Sequence, residues 1–227
     1  MVYQDRADAG RILAEWVLYL RGHDPVVVGV AAGGVAVARE IAVKLDAPLD
    51  ALVVRKLDVP GYQDLTMGAV GEGAVIVSNH DVLRECRISP HQLADAAHHE
   101  HGVVARQMAM LRRAMPPVDL TGRNVVLVDD GISTGATIRV AIRVLRAKGA
   151  RRVILAVPVA PAPVLEQVNR MVDQVICPKA MRWVRNLRSW YVDFPDVDGN
   201  DIAAMLREHT SLVTAPADTD RALPAQF

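Results

Sequence analysis

Val125-Val126-Leu127-Val128-Asp129-Asp130-Gly131-Ile132-Ser133-Thr134-Gly135-Ala136-Thr137 is the stretch that decides the fold. Its four leading apolar residues follow a turn at Asp119-Leu120-Thr121-Gly122 and read as a strand buried on both faces. Two carboxylates end the run. A loop of glycines and hydroxyls comes next, and a helix is expected from Gly135 to Lys148, with Gly149 just past its end. Strand, short loop and helix together make half of a β–α–β unit.

The same grammar extends in both directions. Upstream, residues 26–30 form a second continuous apolar run, Ala31-Ala32-Gly33-Gly34 makes a loop, residues 35–45 read as a helix and residues 49–54 as a strand. Before them Ile12, Leu13, Trp16, Val17 and Leu20 lie at helical spacing and predict a helix over residues 6–20, closed by Gly22. Downstream, residues 152–159 read as a strand, 161–171 as a helix and 174–177 as a short strand. Between the two halves, residues 55–73 are rich in glycine and loop formers, with 68–73 either a mobile segment or an irregular strand pair, and 74–77 a candidate strand. Ser89-Pro90 opens a long helix that runs to about Met115, where Pro116-Pro117 stops it. Alternating strands and helices argue for an α/β fold, doubly wound, with a mainly parallel central sheet flanked by helices. One domain over residues 1–210 is expected, and the unpatterned residues 211–227 read as a disordered tail.

Composition limits what such a fold can bind. Hydrophobic residues make up 51% of the 227 and aromatics only 4%, which fits valine-rich strands and alanine-rich helices. The formal net charge is zero, so a general nucleic-acid or membrane-surface binder is excluded and any anion must be recognised locally. Cys86 and Cys177 form no CxxC pair and read as free thiols in a reducing compartment. With neither a signal-peptide core nor an apolar run of membrane-spanning length, the expectation is a cytoplasmic protein.

The loop after residue 128 carries the chemistry. Ligands of open α/β sheets sit at the carboxyl ends of the strands. A helix start offers unpaired N–H groups and partial positive charge, and small residues let a phosphate approach that backbone. Ser133, Thr134 and Thr137 can add hydroxyl donors. Asp129 and Asp130 do not suit a phosphate; they suit hydroxyls and a divalent metal beside it. A ribose 5-phosphate matches both halves.

This segment, VVLVDDGISTGAT, resembles the signature with which type I phosphoribosyltransferases bind 5-phosphoribosyl-1-pyrophosphate (PRPP). LTGRNVVLVDD, from Leu120, is similar to the approach to that signature in purine-salvage members. VVRKLDVPGYQDLTMGAV (53–70) and SWYVDF (189–194) look like segments of stand-alone bacterial phosphoribosyltransferase-domain proteins, so the resemblance covers roughly residues 5–205. It implies the type I phosphoribosyltransferase fold with a small C-terminal hood over about 176–200. It implies transfer of the 5-phosphoribosyl group from PRPP to a nitrogenous base with release of pyrophosphate, in nucleotide salvage or related metabolism.

Roles follow from the resemblance residue by residue. Asp129 and Asp130 hold the ribose hydroxyls, and Mg²⁺ through PRPP or water. Gly131, Ile132, Ser133, Thr134, Gly135, Ala136 and Thr137 hold the 5-phosphate. Ala31, Ala32, Gly33 and Gly34 form the pyrophosphate turn, where the family often has a cis peptide, with Arg55 and Lys56 beside it. Asp129, Asp130 and Lys56 are the catalytic set. Lys179, Trp183, Trp190 and Tyr191 recognise the base from the hood; the aromatics, with Phe194, read equally as core anchors of a small lobe. Small molecules are the implied partners, with neither nucleic acid nor membrane among them, and family habit suggests a homodimer. One departure stands out. Relatives commonly carry a basic residue, after proline, where this chain has Ala31-Ala32, which keeps open a non-catalytic PRPP- or nucleotide-binding regulator. Arg182, Arg185 and Arg188 in the hood read as solvated surface.

Competing motifs were weighed on the same residues. Gly131-Ile132-Ser133-Thr134-Gly135 matches the G-x-S-x-G elbow of serine hydrolases, with Ser133 as nucleophile. The elbow needs a later histidine, and after His101 only His209 remains. Two preceding carboxylates would also oppose a developing oxyanion. Neither a P-loop lysine motif nor G-x-G-x-x-G occurs. His91, His98, His99 and His101 share one expected helix and read as a solvated face rather than a metal site.

Overall fold

The computed structural model of the chain describes residues 2–214. Among them, five parallel strands form the central sheet in the order β2-β1-β6-β7-β9, built from β1 (Pro25–Val30), β2 (Leu49–Leu52), β6 (Asn124–Val128), β7 (Arg152–Ala156) and β9 (Gln174–Ile176). β1 and β6 are buried at every position, which is why both read as unbroken apolar runs instead of alternating ones.

Alternate residues feed two cores. Val27, Val126 and Ile154 point into one, which α1 (Arg6–Val17), α2 (Gly33–Leu45), α4 (Pro90–Ala114) and α7 (Gly199–Thr214) share. Val28, Leu127 and Leu155 point into the other, covered by α5 (Ala136–Ala147) and α6 (Ala162–Asn169). The sheet is therefore doubly wound, as the alternating pattern predicts. Close packing of α2 on the sheet needs Gly29, where a Cβ would lie 2.6 Å from the Cα of Val35. α4 begins with a capping box: Ser89 Oγ accepts from the Gln92 N–H while the Gln92 side chain accepts from the Ser89 N–H, with Pro90 in the first turn.

Several expectations need correction. The stretch read as a glycine-rich loop is an antiparallel sheet of β3 (Val54–Val59), β4 (Tyr62–Gly71) and β5 (Ile76–Ser78). A register shift around Leu57–Val59 breaks the period-2 alternation that would have announced it. The strand expected over 49–54 is two, with Val53 as the joint between the parallel and antiparallel sheets. The strand expected over 152–159 also divides, and β8 (Val159–Pro161) pairs with β10 (Lys179–Met181). On α1, Leu13 and Val17 are buried but Ile12 and Trp16 are exposed, so the apolar stripe is narrower than its spacing suggests. A short helix, α3 (His80–Glu85), precedes α4.

The largest omission is α7. It covers residues 199–214, so the break expected at 211 falls inside a helix; residues 215–227 lie outside the described residues. Ile202, Ala203, Leu206 and His209 form its buried stripe against α2, α4 and β2. No helix among the described residues is long and apolar enough to cross a membrane.

Candidate active site

β1 and β6 are neighbours whose following helices, α2 and α5, leave to opposite faces of the sheet. Such a switch point opens a crevice at the carboxyl ends of the two strands. Here it is a cleft of about 390 Å³. Ala31, Ala32 and Gly33 line it from the β1 end, Arg55 and Lys56 from β3, and Asp129, Asp130, Gly131, Ile132, Ser133, Thr134, Gly135 and Thr137 from the β6 end. Sequence reasoning thus brings three separate segments to one place. Gly34 and Ala136 stand just behind the wall, while Asp58 and Leu187 were not anticipated and line it. The Ala31–Ala32 peptide bond is cis, as the resemblance implies.

The two acids have different surroundings. Asp130 is buried, and its Oδ2 accepts from the Arg6 Nε at 2.8 Å; the two side chains are only 11% and 10% exposed. Arg6 in turn donates to the Pro195 carbonyl at 2.5 Å and lies 3.7 Å over the ring of Phe194. The Tyr191 hydroxyl donates to the Asp130 carbonyl at 2.5 Å, and burial pushes that phenol well above its ordinary range, so it stays protonated. Asp129 has no ion-pair partner among the described residues; its Oδ1 accepts from the Asp130 N–H at 2.9 Å. Burial, then the neighbouring charge of Asp130, raise the Asp129 carboxyl well above the usual carboxylate range, opposed by that N–H and by Lys56 and Arg6. Asp130 is therefore fixed in a structural pair, and Asp129 is the acid left to meet a ligand.

Two expectations follow. A ligand that needs Asp129 ionised must displace a proton, so its affinity should rise with pH through the raised pKa and then level off. Binding enthalpies measured in buffers of different ionisation heat will detect the released proton. A Cβ added to Gly33 would lie 1.9 Å from the Asp130 Oδ2 and 2.8 Å from the Arg6 Nε. Gly33→Ala should therefore push the pair apart and cost roughly 1–3 kcal/mol, read by urea denaturation.

The β6–α5 loop is shaped by glycine. Gly131 has φ 155° and packs so closely that a Cβ would lie 2.5 Å from Leu187 Cδ2. Gly135 is the N-cap of α5 at φ 77°, with no side-chain cap hydrogen bond. The Ile132 N–H donates to the Val159 carbonyl at 2.9 Å and anchors the loop. The first-turn amides of α5 thus have no capping oxygen from their N-cap residue, and Ser133 and Thr137 supply hydroxyls at the same spot.

The hood differs from expectation. Residues 177–198 are stitched to the N-terminus, where the Tyr3 N–H donates to the Trp190 carbonyl and the Val192 N–H to the Tyr3 carbonyl. Tyr3, Tyr191 and Phe194 form an aromatic cluster, and Lys179 sits 3.5 Å over the Tyr3 ring. Trp183 is 62% exposed beside Arg185. Of the four hood residues expected to read a base, none lines the cleft; the aromatics Trp190 and Tyr191 belong to the small-lobe core, and Leu187 is the hood residue in the cleft. No histidine lines it either, and His209 is buried with its Nε2 2.8 Å from the Ala47 carbonyl, so the hydrolase arrangement around Ser133 is not formed. His91 pairs with Asp95 on the exposed face of α4. Arg6 was missed because nothing local marks it: it reaches Asp130 across 124 positions of sequence.

Comparison with known proteins agrees with this geometry. The phosphoribosyl transferase domain model matches residues 2–185. A Mycobacterium tuberculosis protein, named provisionally as a phosphoribosyl transferase, is 39% identical over 217 residues, covering 95% of this chain and 49% of its own length. The chain thus spans about half the length of this relative. The crystal structure of TT1426 from Thermus thermophilus superposes with a TM-score of 0.76 at 36% identity, covering 92% of this chain and 99% of that one. A shorter similarity, 32% over 111 residues, links 47% of the chain to 38% of a ribose-phosphate pyrophosphokinase of Thermococcus kodakarensis.

Proposed function

The chain belongs to the phosphoribosyl transferase family, and on that premise we propose that it transfers the 5-phosphoribosyl group of PRPP to a nitrogenous base, releasing pyrophosphate. One observation carries the reading: an acid without a cation partner, an uncapped helix start and a lysine share one cleft. The amides of α5 and the hydroxyls of Ser133, Thr134 and Thr137 receive the 5-phosphate. Asp129 accepts from the ribose hydroxyls, and Asp130 holds the loop to the turn at residues 31–34 through Arg6. Arg55 and Lys56 face the pyrophosphate beside that turn.

Asp129 also suits a divalent cation, being an oxygen donor that lacks a cation partner. Among the described residues there is no cluster of three or more metal-ligating side chains, so ligand oxygens or water would complete the shell. Mg²⁺ bound there would neutralise charge on the leaving pyrophosphate. As the bond from C1 to pyrophosphate breaks, positive charge builds on the ribose, and the Asp129 carboxylate lies on that side to stabilise it. Lys56 stabilises the departing anion in place of the basic residue that relatives carry in the turn. Lys56→Ala should lower turnover by roughly 10²-fold, read as pyrophosphate release.

The test is a panel of nitrogenous bases presented with PRPP and Mg²⁺. Pyrophosphate release that depends on one base supports transfer. PRPP binding without release over the whole panel favours the regulator reading, which the Ala31-Ala32 turn motivates.

A further inference from the structure

We propose that the cavity between α4 and α7 is a second binding site, for a small uncharged nitrogen heterocycle. The cavity measures about 310 Å³ and lies on the other side of the Ala31-Ala32 turn from the cleft. That volume is at the lower end for small-molecule sites and holds one or two fused rings. Its walls are apolar: Val53 at the joint between the sheets, Leu111 of α4, and Val197 and Ile202 at the start of α7. Polar groups enter at three points, namely Arg55, Gln107 and Asp198.

Charge selects the class of ligand. Arg55 Nε already donates to Glu100 Oε2 at 2.9 Å, and Asp198 contributes a carboxylate to the same cavity. The balance leaves no surplus of either sign, which disfavours a phosphate or a free cation. What remains are a donor at Arg55, an acceptor at Asp198 and an amide at Gln107 that does both. Asp198 is held in place as the cap of α7, its Oδ1 accepting from the Asn200 and Asp201 N–H groups at 2.7 and 3.0 Å. A flat ring with both donors and acceptors on its edge and an apolar face complements this set. Met110 supplies a polarisable thioether against such a face, and its Cε reaches to 2.2 Å from where a Cβ of Gly199 would stand. Glycine at 199 is what gives that methionine its room.

The site is distinct from the one assigned to PRPP, yet Arg55 and the Ala31-Ala32 turn are walls of both. The inference does not depend on the PRPP reading, because binding is read without PRPP. Adenine, hypoxanthine and uracil are each titrated alone into the ¹⁵N-labelled chain. We expect at least one to shift the amide resonances of Gln107 and Gly199. Met110→Trp, which fills the cavity, should abolish the shifts. Gln107→Leu, on an exposed position of α4 where folding is not at stake, should weaken binding roughly fivefold or more. Silence of those resonances with all three bases overturns the proposal, as does binding that Gln107→Leu leaves unchanged.

Discussion

Replacing Arg6 with alanine is expected to lower the unfolding free energy by about 3–5 kcal/mol, the usual cost of removing one partner of a buried ion pair. The carboxylate of Asp130 would be left without its cation, pressed against Gly33 and next to the charge of Asp129. For a chain of this size each kcal/mol moves the melting temperature by about 2–4 °C, so a fall of roughly 6–20 °C should appear in a thermal scan. The cause can be separated from lost packing over Phe194. If the orphaned charge dominates, Asp130→Asn added to Arg6→Ala should recover part of the loss. Simple addition of the two single losses would assign the effect to packing instead.

Asp129→Asn should act in opposite directions on ligand and fold. Asp129 is the acid assigned to the ribose hydroxyls and the cation, so its neutral isostere should weaken the affinity for PRPP with Mg²⁺. Each hydrogen bond to a charged group contributes about 1.5–3 kcal/mol, and losing two gives roughly 10²–10⁴-fold. The ligand-free protein should become more stable at neutral pH. The folded-state pKa lies above the unfolded value, so folding favours the protonated carboxyl, and stability falls as pH rises from the unfolded to the folded pKa. Asparagine removes that penalty. Denaturation at pH 7 without ligand, set beside a PRPP titration, tests both signs. Lower stability together with unchanged affinity would place the working acid elsewhere.

The legible parts of the fold share a cause. β1, β6 and their following helices could be read because their patterns are local: strands buried on both faces leave unbroken apolar runs, and the long helix carries its own cap at Ser89. The loop at 129–137 and the turn at 31–34 were legible for the same reason, each being a short segment that makes its own backbone shape. What escaped depends on distant partners. Lys56 was legible only through resemblance, because its strand hides behind a register shift in β3–β4. Arg6 becomes meaningful only when α1 lies beside the loop after β6. The hood aromatics carried two readings, and the choice between them turned on Tyr3, which comes from the other end of the chain and pairs with Tyr191. α7 did carry a signal in Ile202, Ala203, Leu206 and His209, spaced as a helical stripe with Asp198 ahead of it. The polar residues that follow obscured it.

That stripe also sets the geometry of the cleft. α7 braces α2 and β2, and α2 begins at the turn on the cleft's β1 side. The interior of the fold therefore supports both sides of the switch point, with the β6 side held by the Arg6–Asp130 pair.

A crystal structure of the chain soaked with PRPP and Mg²⁺ tests the central claim most directly. The account predicts the 5-phosphate on the amides at the start of α5, the ribose hydroxyls on Asp129 and the pyrophosphate between the Ala31–Gly34 turn and Lys56. A sugar phosphate bound outside that corner, or a corner that stays empty at saturating ligand, would contradict it.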